Sequence, residues 1–241
     1  MQKQKVIIIG ASSGMGRELA KIMAAHNYIV GIAAPQEELL ATLQQEIPST
    51  TYRTVIDVCA DNARDKLNSL IAQLGDVDIV VICAGIGPRN PTLSFELDKQ
   101  TIDVNVIGFC AMATVSMHHF MQQKHGHLVV ISSIAGIRGN DTAPAYNASK
   151  AFISNYLQGL RKKIAREHLN IDVTDIKPGF VDTVMAHTYA KPFLMISAHK
   201  AAQYIFNGIV RKKKIVYVSP IWRLVAWGLY IAPDWIYNKF E

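Results

Sequence analysis

The sequence KVIIIGASSGMG, residues 5–16, gives the clearest indication of the fold class. It begins with a continuous Val/Ile run, which is typical of a strand covered on both faces of a sheet. We expect Gly10 to permit a tight turn after this strand, Gly14 to let the backbone approach a pyrophosphate, and Gly16 to let the following helix pack closely. A strand, a glycine-rich turn and a helix in this order form the context of a dinucleotide-binding fingerprint.

The alternation of strand and helix continues along the chain. Six further β-rich runs are YIVGIA, YRTVID, VDIVVIC, HLVVIS, IDVTDIK and IVYV. Helical patterns are predicted at 14–26, 36–46, 61–74, about 101–123, 144–167 and 198–211. This order predicts an α/β fold, a Rossmann-like doubly wound sheet of about seven parallel strands with helices on both faces. With 241 residues and 50% hydrophobic content, we expect a single domain over residues 1–241.

Composition argues against several kinds of partner. The net charge is +6, but the basic clusters 161–163 and 211–214 lie at the ends of predicted helices, where cations favour the helix dipole. We see no nucleic-acid-binding module and expect no nucleic-acid partner. Separated cysteines without a C-x-x-C pair, and histidines without acidic or thiolate companions, predict neither disulfides nor a metal site, and they favour a reducing cytoplasm. These residues are Cys59, Cys83, Cys110, His118, His119, His125 and His127.

Three proton-handling side chains lie in the second half of the chain: Ser133 in ISS, and Tyr146 and Lys150 in YNASK. In a helix, Tyr146 and Lys150 would share one face. An ammonium nearby favours the phenolate form of a tyrosine and makes it a usable proton carrier. Ser133, from another strand, could hold the oxygen of a carbonyl or an alcohol. Taken alone, a Tyr-x3-Lys pair is also common on helix surfaces.

Seven motifs together resemble the short-chain dehydrogenase/reductase family. They are GASSGMG, IDV, CAG, NVIG, ISS, YNASK and KPGFVDT, in the order and spacing of that family, and they cover almost the whole chain. The resemblance implies a Rossmann-like fold, NAD or NADP as cofactor, and interconversion of a ketone and a secondary alcohol.

The resemblance also implies catalytic roles. Tyr146 corresponds to the acid/base, Lys150 to the residue that supports it and binds the nicotinamide ribose, and Ser133 to the residue that orients the substrate oxygen. Asn105 in NVIG resembles the family's helix-distorting asparagine, which holds a water in a proton relay from Lys150 to solvent.

Cofactor contacts are implied in the same way. Asp57 resembles the acid that binds the adenine amino group, and Val58 would flank the ring. Residues 178–179 and Thr183 resemble the segment that holds the nicotinamide carboxamide. The candidate cofactor-binding residues are Gly10, Ser12, Ser13, Gly14, Met15, Gly16, Asp57, Val58, Ala84, Gly85, Tyr146, Lys150, Pro178, Gly179, Val181 and Thr183.

Some positions depart from the family pattern. Ile9 stands where a threonine is usual and Cys83 where an asparagine is usual, so side-chain hydrogen bonds are lost. We interpret Cys83 as a small buried residue and not as a reactive thiol. Ala34 stands where NAD-preferring relatives carry an acid, and residues 35–36 lack the arginine of NADP-preferring relatives. Because no acid repels a 2′-phosphate and Arg17 lies nearby in sequence, the sequence favours NADP.

Two segments fall outside the strand–helix alternation. Residues 184–196 follow the carboxyl end of a strand and predict a substrate loop; their apolar side chains, Met185, Tyr189, Phe193 and Met195, favour a lipophilic substrate. The tail, residues 221–241, has a spacing that predicts a helix with one apolar stripe: Ile221, Leu224, Val225 and Leu229.

The tail has three interpretations: packing into the core, contact with another subunit, or attachment to a membrane surface. We favour the subunit contact. The family commonly pairs its two long helices, here 101–123 and 144–167, which implies a homodimer or homotetramer. No uninterrupted apolar run reaches the ~18 residues of a membrane span, so we expect none.

Two alternatives to a general ketone/alcohol oxidoreductase stay open. One is a subclass that reduces a carrier-bound 3-oxoacyl chain, for which the basic surface is the only argument. The other is a non-catalytic cofactor-binding or scaffold protein, against which the intact set of Ser133, Tyr146, Lys150 and Asn105 argues.

Overall fold

A computed structural model describes residues 3–183 and 194–239 of the chain. Its main sheet consists of β1 Lys5–Ile9, β2 Ile29–Ala34, β3 Thr51–Val55, β4 Ile79–Ile82, β5 Gly126–Ile131, β6 Ile171–Pro178 and β9 Ile215–Val218. These seven strands are all parallel, in the order β3-β2-β1-β4-β5-β6-β9. The predicted seven-stranded doubly wound sheet is therefore confirmed. Two short strands that the sequence did not indicate, β7 Val181–Asp182 and β8 Ile196–Ser197, form a separate parallel pair.

Helices cover both faces of the sheet. They are α1 Gly14–Ala25, α2 Glu37–Glu46, α3 Ala63–Leu74, α4 Phe95–Ile102, α5 Phe109–Gln123, α6 Pro144–Arg166, α7 Ala198–Val210, α8 Ile221–Ile231 and α9 Asp234–Tyr237. A π-helix, Asp103–Gly108, joins α4 to α5, and a 3-10 helix, Ile134–Gly136, follows β5. The prediction of a helix near 101–123 therefore missed its first turns and its change of hydrogen bonding.

The core lies in two layers, one on each face of the sheet. In β1, Val6 and Ile8 join a cluster with α1, α2 and α7, whereas Ile7 and Ile9 join a cluster with α3, α5 and α6. Because successive side chains of a strand point to opposite faces, a strand buried on both sides needs the continuous apolar run seen here.

Strand order reverses between β1 and β4, which are neighbours although β2 and β3 lie between them in sequence. The chain leaves β1 and β4 in opposite directions, so a crevice opens at their carboxyl ends. In open α/β sheets this is the usual place for a ligand.

One helical stretch of the described residues, Phe95–Gln123, is long and apolar enough to cross a membrane by length and composition. In the fold, 50% of its apolar window is buried, as in the core helix of a folded protein. It carries Asn105 into the crevice at the carboxyl edge of the sheet.

The tail forms the helix α8, and its predicted apolar stripe is only partly packed against the rest of the chain. Ile221 and Leu224 are 38% and 65% exposed, so they lie outside the packed side. The packed side is formed by Trp222 and Ala226, with half-buried Val225 and Leu229. An apolar residue occupies nearly every position of α8, so spacing alone does not define its inner face; the fit of the Trp222 ring against Gly179 does.

Candidate active site

The glycine-rich turn closes tightly at the end of β1. Gly10 has a φ of +89°, in the region that favours glycine, and its N–H donates to the Ala33 oxygen at 2.7 Å. A Cβ on Gly10 would lie 2.5 Å from the Ala84 nitrogen, and one on Gly16 would lie 2.2 Å from the Gly10 oxygen. Larger side chains would therefore displace backbone. No side chain caps the N-terminus of α1 that follows this turn, and a helix N-terminus favours an anion such as a phosphate.

The other cofactor candidates lie along the same edge of the sheet. Asp57 is exposed, and its Oδ1 accepts the Cys59 N–H at 3.0 Å. Val58 is 9% exposed and packs against Gly108. Thr183 approaches the turn, since a Cβ on Gly14 would lie 3.0 Å from its Cγ2. Ser12, Ser13, Ala84 and Gly85 belong to the loops that follow β1 and β4.

A cavity of about 380 Å³ opens beside this turn. Among its lining residues are Ser133, Tyr146 and Lys150, which the sequence analysis singled out for proton transfer, although they come from two different elements. Cofactor candidates also line it: Met15, Gly85, Pro178, Gly179, Val181 and Thr183. Asp57 and Val58 do not; Asp57 borders a separate hollow between the end of β3 and α4.

Lys150 is buried at the base of this cavity, with 5% of its surface exposed. Its Nζ donates to the Ile131 oxygen at 3.1 Å and lies 5.7 Å from the centre of the Tyr146 ring. Burial lowers the pKa of Lys150 from 10.5 to about 8, against the opposing effects of Cys83 and Asp175. Lys150 is therefore still protonated at neutral pH, but it releases its proton more readily than an exposed lysine does.

Ser133 is 7% exposed and follows the end of β5. Its Oγ accepts the Ala135 N–H at 3.0 Å, and it donates to the Pro178 oxygen across a long 3.4 Å. The hydroxyl is thus fixed in place by a good contact while its proton is only weakly engaged. It can turn toward an oxygen atom in the cavity.

Asn105 lies behind the cavity, inside the π-helix, and is 1% exposed. Its Nδ2 donates to the Ile86 oxygen at 2.7 Å and to Ser149 Oγ at 3.0 Å, and its Oδ1 accepts the Ile86 N–H at 2.8 Å. These contacts link the loop after β4 to α6, one residue before Lys150. Asn105 and Lys150 both approach Gly85. A Cβ on Gly85 would lie 3.2 Å from Asn105 Oδ1 and 3.2 Å from Lys150 Nζ.

A buried ion pair under the site was missed from the sequence. Lys177 Nζ contacts Asp175 Oδ2 at 3.0 Å and donates to Ser154 Oγ of α6 at 2.5 Å. Ser132 Oγ donates a short hydrogen bond to Asp175 Oδ1. The side chains of Asp175 and Lys177 are only 2% and 7% exposed. The charged residues within the predicted strand IDVTDIK were the available signal, since a buried strand rarely carries charges without a paired role.

The outer wall of the cavity was also missed. It includes Leu229 and Tyr237 of the tail and Arg138 from the loop after β5. Arg138 Nε donates to the Leu229 oxygen at 3.0 Å, a second guanidinium nitrogen donates to the Ala232 oxygen, and a third contacts Asp234 at 2.5 Å. The apolar sequence of the tail does not by itself predict this long-range contact.

Arg17 and Cys83 lie in surroundings that the sequence did not show. Arg17 is held by Glu46 at 2.6 Å and by the Leu39 oxygen at 3.3 Å, so the argument that it attracts a 2′-phosphate is weakened. Cys83 lines the cavity, and burial raises the pKa of its thiol to about 11. This agrees with its interpretation as an unreactive residue.

Other candidates of the sequence analysis lie elsewhere. His127 is buried and contacts Thr174 Oγ1 at 2.7 Å, and burial lowers its pKa to about 4. In residues 3–183 and 194–239, no group of three or more His, Cys, Asp or Glu side chains could hold a metal. Of the predicted substrate loop, residues 184–193 lie outside the described residues, so Met185, Tyr189 and Phe193 are not placed. Met195 is half-buried and outside the cavity lining.

A glycine turn at the switch point of a parallel sheet, with a tyrosine and a buried lysine in the adjoining cavity, defines a Rossmann-type protein. The chain belongs to the short chain dehydrogenase family, whose model matches residues 4–192.

Relatives and solved structures agree with this family. An uncharacterized oxidoreductase of Myxococcus xanthus is 35% identical over 88% of this chain and 85% of its own length. One of Listeria monocytogenes is 32% identical over 77% and 78%. A closed serine dehydrogenase complexed with NADP+ superposes with a TM-score of 0.82, at 21% identity, over 90% of this chain and 95% of its own. A short chain dehydrogenase/reductase from Burkholderia phymatum in complex with NAD gives 0.83 at 20% identity, over 93% and 92%. The two structures show the shared fold.

Proposed function

We propose that this protein is an NAD(P)-dependent oxidoreductase that interconverts a ketone and a secondary alcohol on a lipophilic small molecule. The observation that carries this proposal is the meeting of Tyr146, Ser133 and the buried Lys150 in one cavity beside the glycine turn. A protein that only binds a cofactor needs no such set of proton-handling groups.

The residues present fit a dinucleotide. Gly10 and Gly16 leave a turn that side chains would fill, and no side chain caps the N-terminus of α1 beside it. Asp57 and Val58 would flank the adenine, and Pro178, Gly179 and Thr183 the nicotinamide. When bound, the nicotinamide supplies or accepts the hydride.

The chain's own groups manage the proton. In the reducing direction, the Tyr146 hydroxyl gives its proton to the carbonyl oxygen as negative charge develops there, and Ser133 donates a hydrogen bond to the same oxygen. The Lys150 ammonium, 5.7 Å from the Tyr146 ring, stabilises the phenolate that is left. Asn105 holds the loop after β4 against α6, which keeps Lys150 in place.

The cofactor preference rests on charge at the end of β2. Ala34 is buried and brings no acid to repel a 2′-phosphate, which favours NADP, although Arg17 is engaged by Glu46. A thermal-shift titration with each cofactor checks this, because the tighter ligand stabilises more at equal concentration. A larger shift with NAD would contradict the preference.

The substrate class follows from the lining of the cavity. Ile134, Ala143, Phe180 and Leu229 give it an apolar side, and no carboxylate of the described chain lines it. A ketone with a hydrocarbon body would bury that body against these residues and place its oxygen at Ser133 and Tyr146.

The test is Tyr146→Phe. Loss of the hydroxyl removes the proton donor, and we expect turnover on a panel of lipophilic ketones to fall by at least about 100-fold. Cofactor binding, measured by fluorescence titration, should persist. Tyr156→Phe is the matched control, because Tyr156 lies in the same helix and stacks on Phe152 outside the cavity. Full activity in Tyr146→Phe would rule out this mechanism.

A further inference from the structure

The tail presents a continuous apolar surface to solvent. Its large side chains are between 59% and 66% exposed, although they are aromatic or branched aliphatic. We call this surface the tail face; it consists of Leu224, Trp227, Tyr230, Ile231 and Trp235. Apolar side chains grouped in this way on a protein surface mark an interaction site more often than scattered ones do.

The orientation of α8 is fixed from its other side. Trp222 and Ala226 are buried, and the Trp222 ring packs 5.7 Å from that of Phe180. Arg138 binds the Leu229 oxygen, and Tyr237 Oη donates to the Gly139 oxygen at 2.6 Å. Because these contacts hold the inner side against the cavity, the tail face cannot turn inward to be buried.

The geometry points to an anionic lipid surface as the partner of the tail face. Arg223 lies one turn before Trp227 on the exposed side of α8 and forms no ion pair with a described residue. Lys239 Nζ lies 5.7 Å from the centre of the Trp235 ring. Asp234, the acid within residues 219–239, is neutralised by Arg138. The face is therefore apolar, with a positive charge at each end: Arg223 before Leu224 and Lys239 after Trp235.

This combination matches the boundary between headgroups and acyl chains. Leu224 and Ile231 would enter the acyl region, Trp227 and Tyr230 have a polar group for the wet headgroup layer, and Arg223 can extend its charge to a lipid phosphate. The 11 residues of α8 span roughly 16 Å, about half of a bilayer's hydrocarbon core. The helix would therefore lie on the membrane and not cross it.

A second copy of this chain fits the tail face less well. A two-fold axis through the face would bring Arg223 toward an identical surface with no free acid on residues 219–239 to pair with it. A charge buried there without a partner would oppose association. A lipid surface supplies the missing anion, which is the reason that we favour it over the subunit contact.

Docking in this orientation would place the cavity wall next to the bilayer. Leu229 and Tyr237 line the cavity from the inner side of the same segment. A lipophilic substrate would then pass from the membrane to the cavity along the tail. This last step rests on the proposed oxidoreductase function, whereas lipid binding itself does not.

The experiment measures sedimentation of the full chain with vesicles. We expect binding to vesicles of equal parts phosphatidylcholine and phosphatidylglycerol, and weak binding to phosphatidylcholine alone. The triple variant Leu224→Ser, Trp227→Ser, Ile231→Ser should lower the bound fraction by at least about tenfold, and Arg223→Gln by about fivefold on anionic vesicles only. Leu93→Ser with Val210→Ser, which removes exposed apolar side chains elsewhere, should bind as the wild type does.

Unchanged binding by a folded triple variant would overturn the proposal. So would light scattering that shows an oligomer of the wild type which the triple variant dissociates, without any vesicle binding. If the triple variant does not fold, the wild type decides: brominated lipids should quench its tryptophan fluorescence, and no quenching overturns the proposal. Tyr146→Phe should bind vesicles normally, and loss of lipid binding should leave turnover of a water-soluble ketone intact, so the two proposals fail separately.

Discussion

The base of the cavity and its outer wall are held in different ways. At the base, Lys150 and Ser133 are 5% and 7% exposed; Lys150 donates to the Ile131 oxygen at the end of β5, and Ser133 Oγ accepts the Ala135 N–H. The wall is the tail, whose described hydrogen bonds to the rest of the chain go to Arg138 and to Gly139. In the proposed mechanism, the groups that handle the proton lie at the sheet edge, whereas the proposed contacts to the substrate's body lie on the tail.

Substitutions at the base and at the wall should therefore differ in their effects. A substitution at the base disturbs a close-packed, desolvated environment and the chemistry together. A substitution at the wall alters a partly solvated surface, where lost contacts are replaced by water. We therefore expect the effects of mutation to fall steeply from base to wall.

The largest effect is expected for Lys150→Met. Removing the ammonium leaves the phenolate of Tyr146 unsupported, and turnover should fall by about 100-fold or more. The same change should stabilise the folded protein by about 2 kcal/mol at pH 7, since a desolvated charge is replaced by an apolar chain. Activity assays and urea unfolding check the two parts. Lys163→Met, in the same helix but 43% exposed, should change neither by much.

The contribution of Lys150 to the free energy of unfolding depends on pH with a definite sign. Because the pKa of folded Lys150 is about 8 and that of an exposed lysine 10.5, the unfolded chain binds the proton between these values and the folded chain does not. Stability from this group should therefore rise with pH across that window. Turnover that needs the ammonium should fall above about pH 8. The Met variant should lack the stability slope; an identical slope in both proteins would contradict the assignment.

An intermediate effect is expected for Asp175→Asn. The amide can still accept from Ser132, but Lys177 would be left as a buried charge without its partner, at a cost of about 3 kcal/mol. Urea unfolding measures this loss. Asp172→Asn, on the same strand, breaks a pair with Lys212 that is 34% and 65% exposed, and should cost less than about 1 kcal/mol. Equal losses in both variants would show that burial does not determine the cost of breaking these ion pairs.

The smallest effect is expected for Arg138→Leu. Releasing the tail should raise KM for a lipophilic ketone by about tenfold, because part of the wall that contacts the substrate's body is no longer held in place. The value of kcat should change little. Arg166→Leu, whose side chain is 77% exposed, serves as control. A loss of kcat with unchanged KM in Arg138→Leu would mean that the tail also positions Lys150 and Ser133 at the base of the cavity.

The sequence predicted the base much better than the wall. The strands, the glycine turn and the pair Tyr146 and Lys150 follow from short-range patterns and from motifs whose spacing the fold requires. The wall depends on Arg138 meeting residues more than 90 positions away, and no local pattern encodes such a contact. The packed side of α8 was not predicted for the same reason: an almost uniformly apolar helix has no preferred side until its neighbours are known.

The π-helix had a partial signal. NVIG identified Asn105 as a position of helix distortion, but periodicity alone extends a regular helix through it. An additional residue in one turn changes the angular position of every side chain after it. The buried pair of Asp175 and Lys177 was hidden because strand patterns are read from apolar residues, and here the charges satisfy each other inside the sheet.

The hydrogen bonds from Arg138 to the tail, here called the clasp, have a consequence for how this enzyme could diversify. Asn147, next to Tyr146 in α6, donates to the Arg138 oxygen at 2.8 Å, so the main chain of the clasp is tied to the catalytic helix while its side chain reaches the tail. Descendants of this chain could exchange everything after residue 218 and inherit the proton-transfer groups intact. New substrate ranges would then arise by replacing a terminus, with the catalytic machinery carried along unchanged.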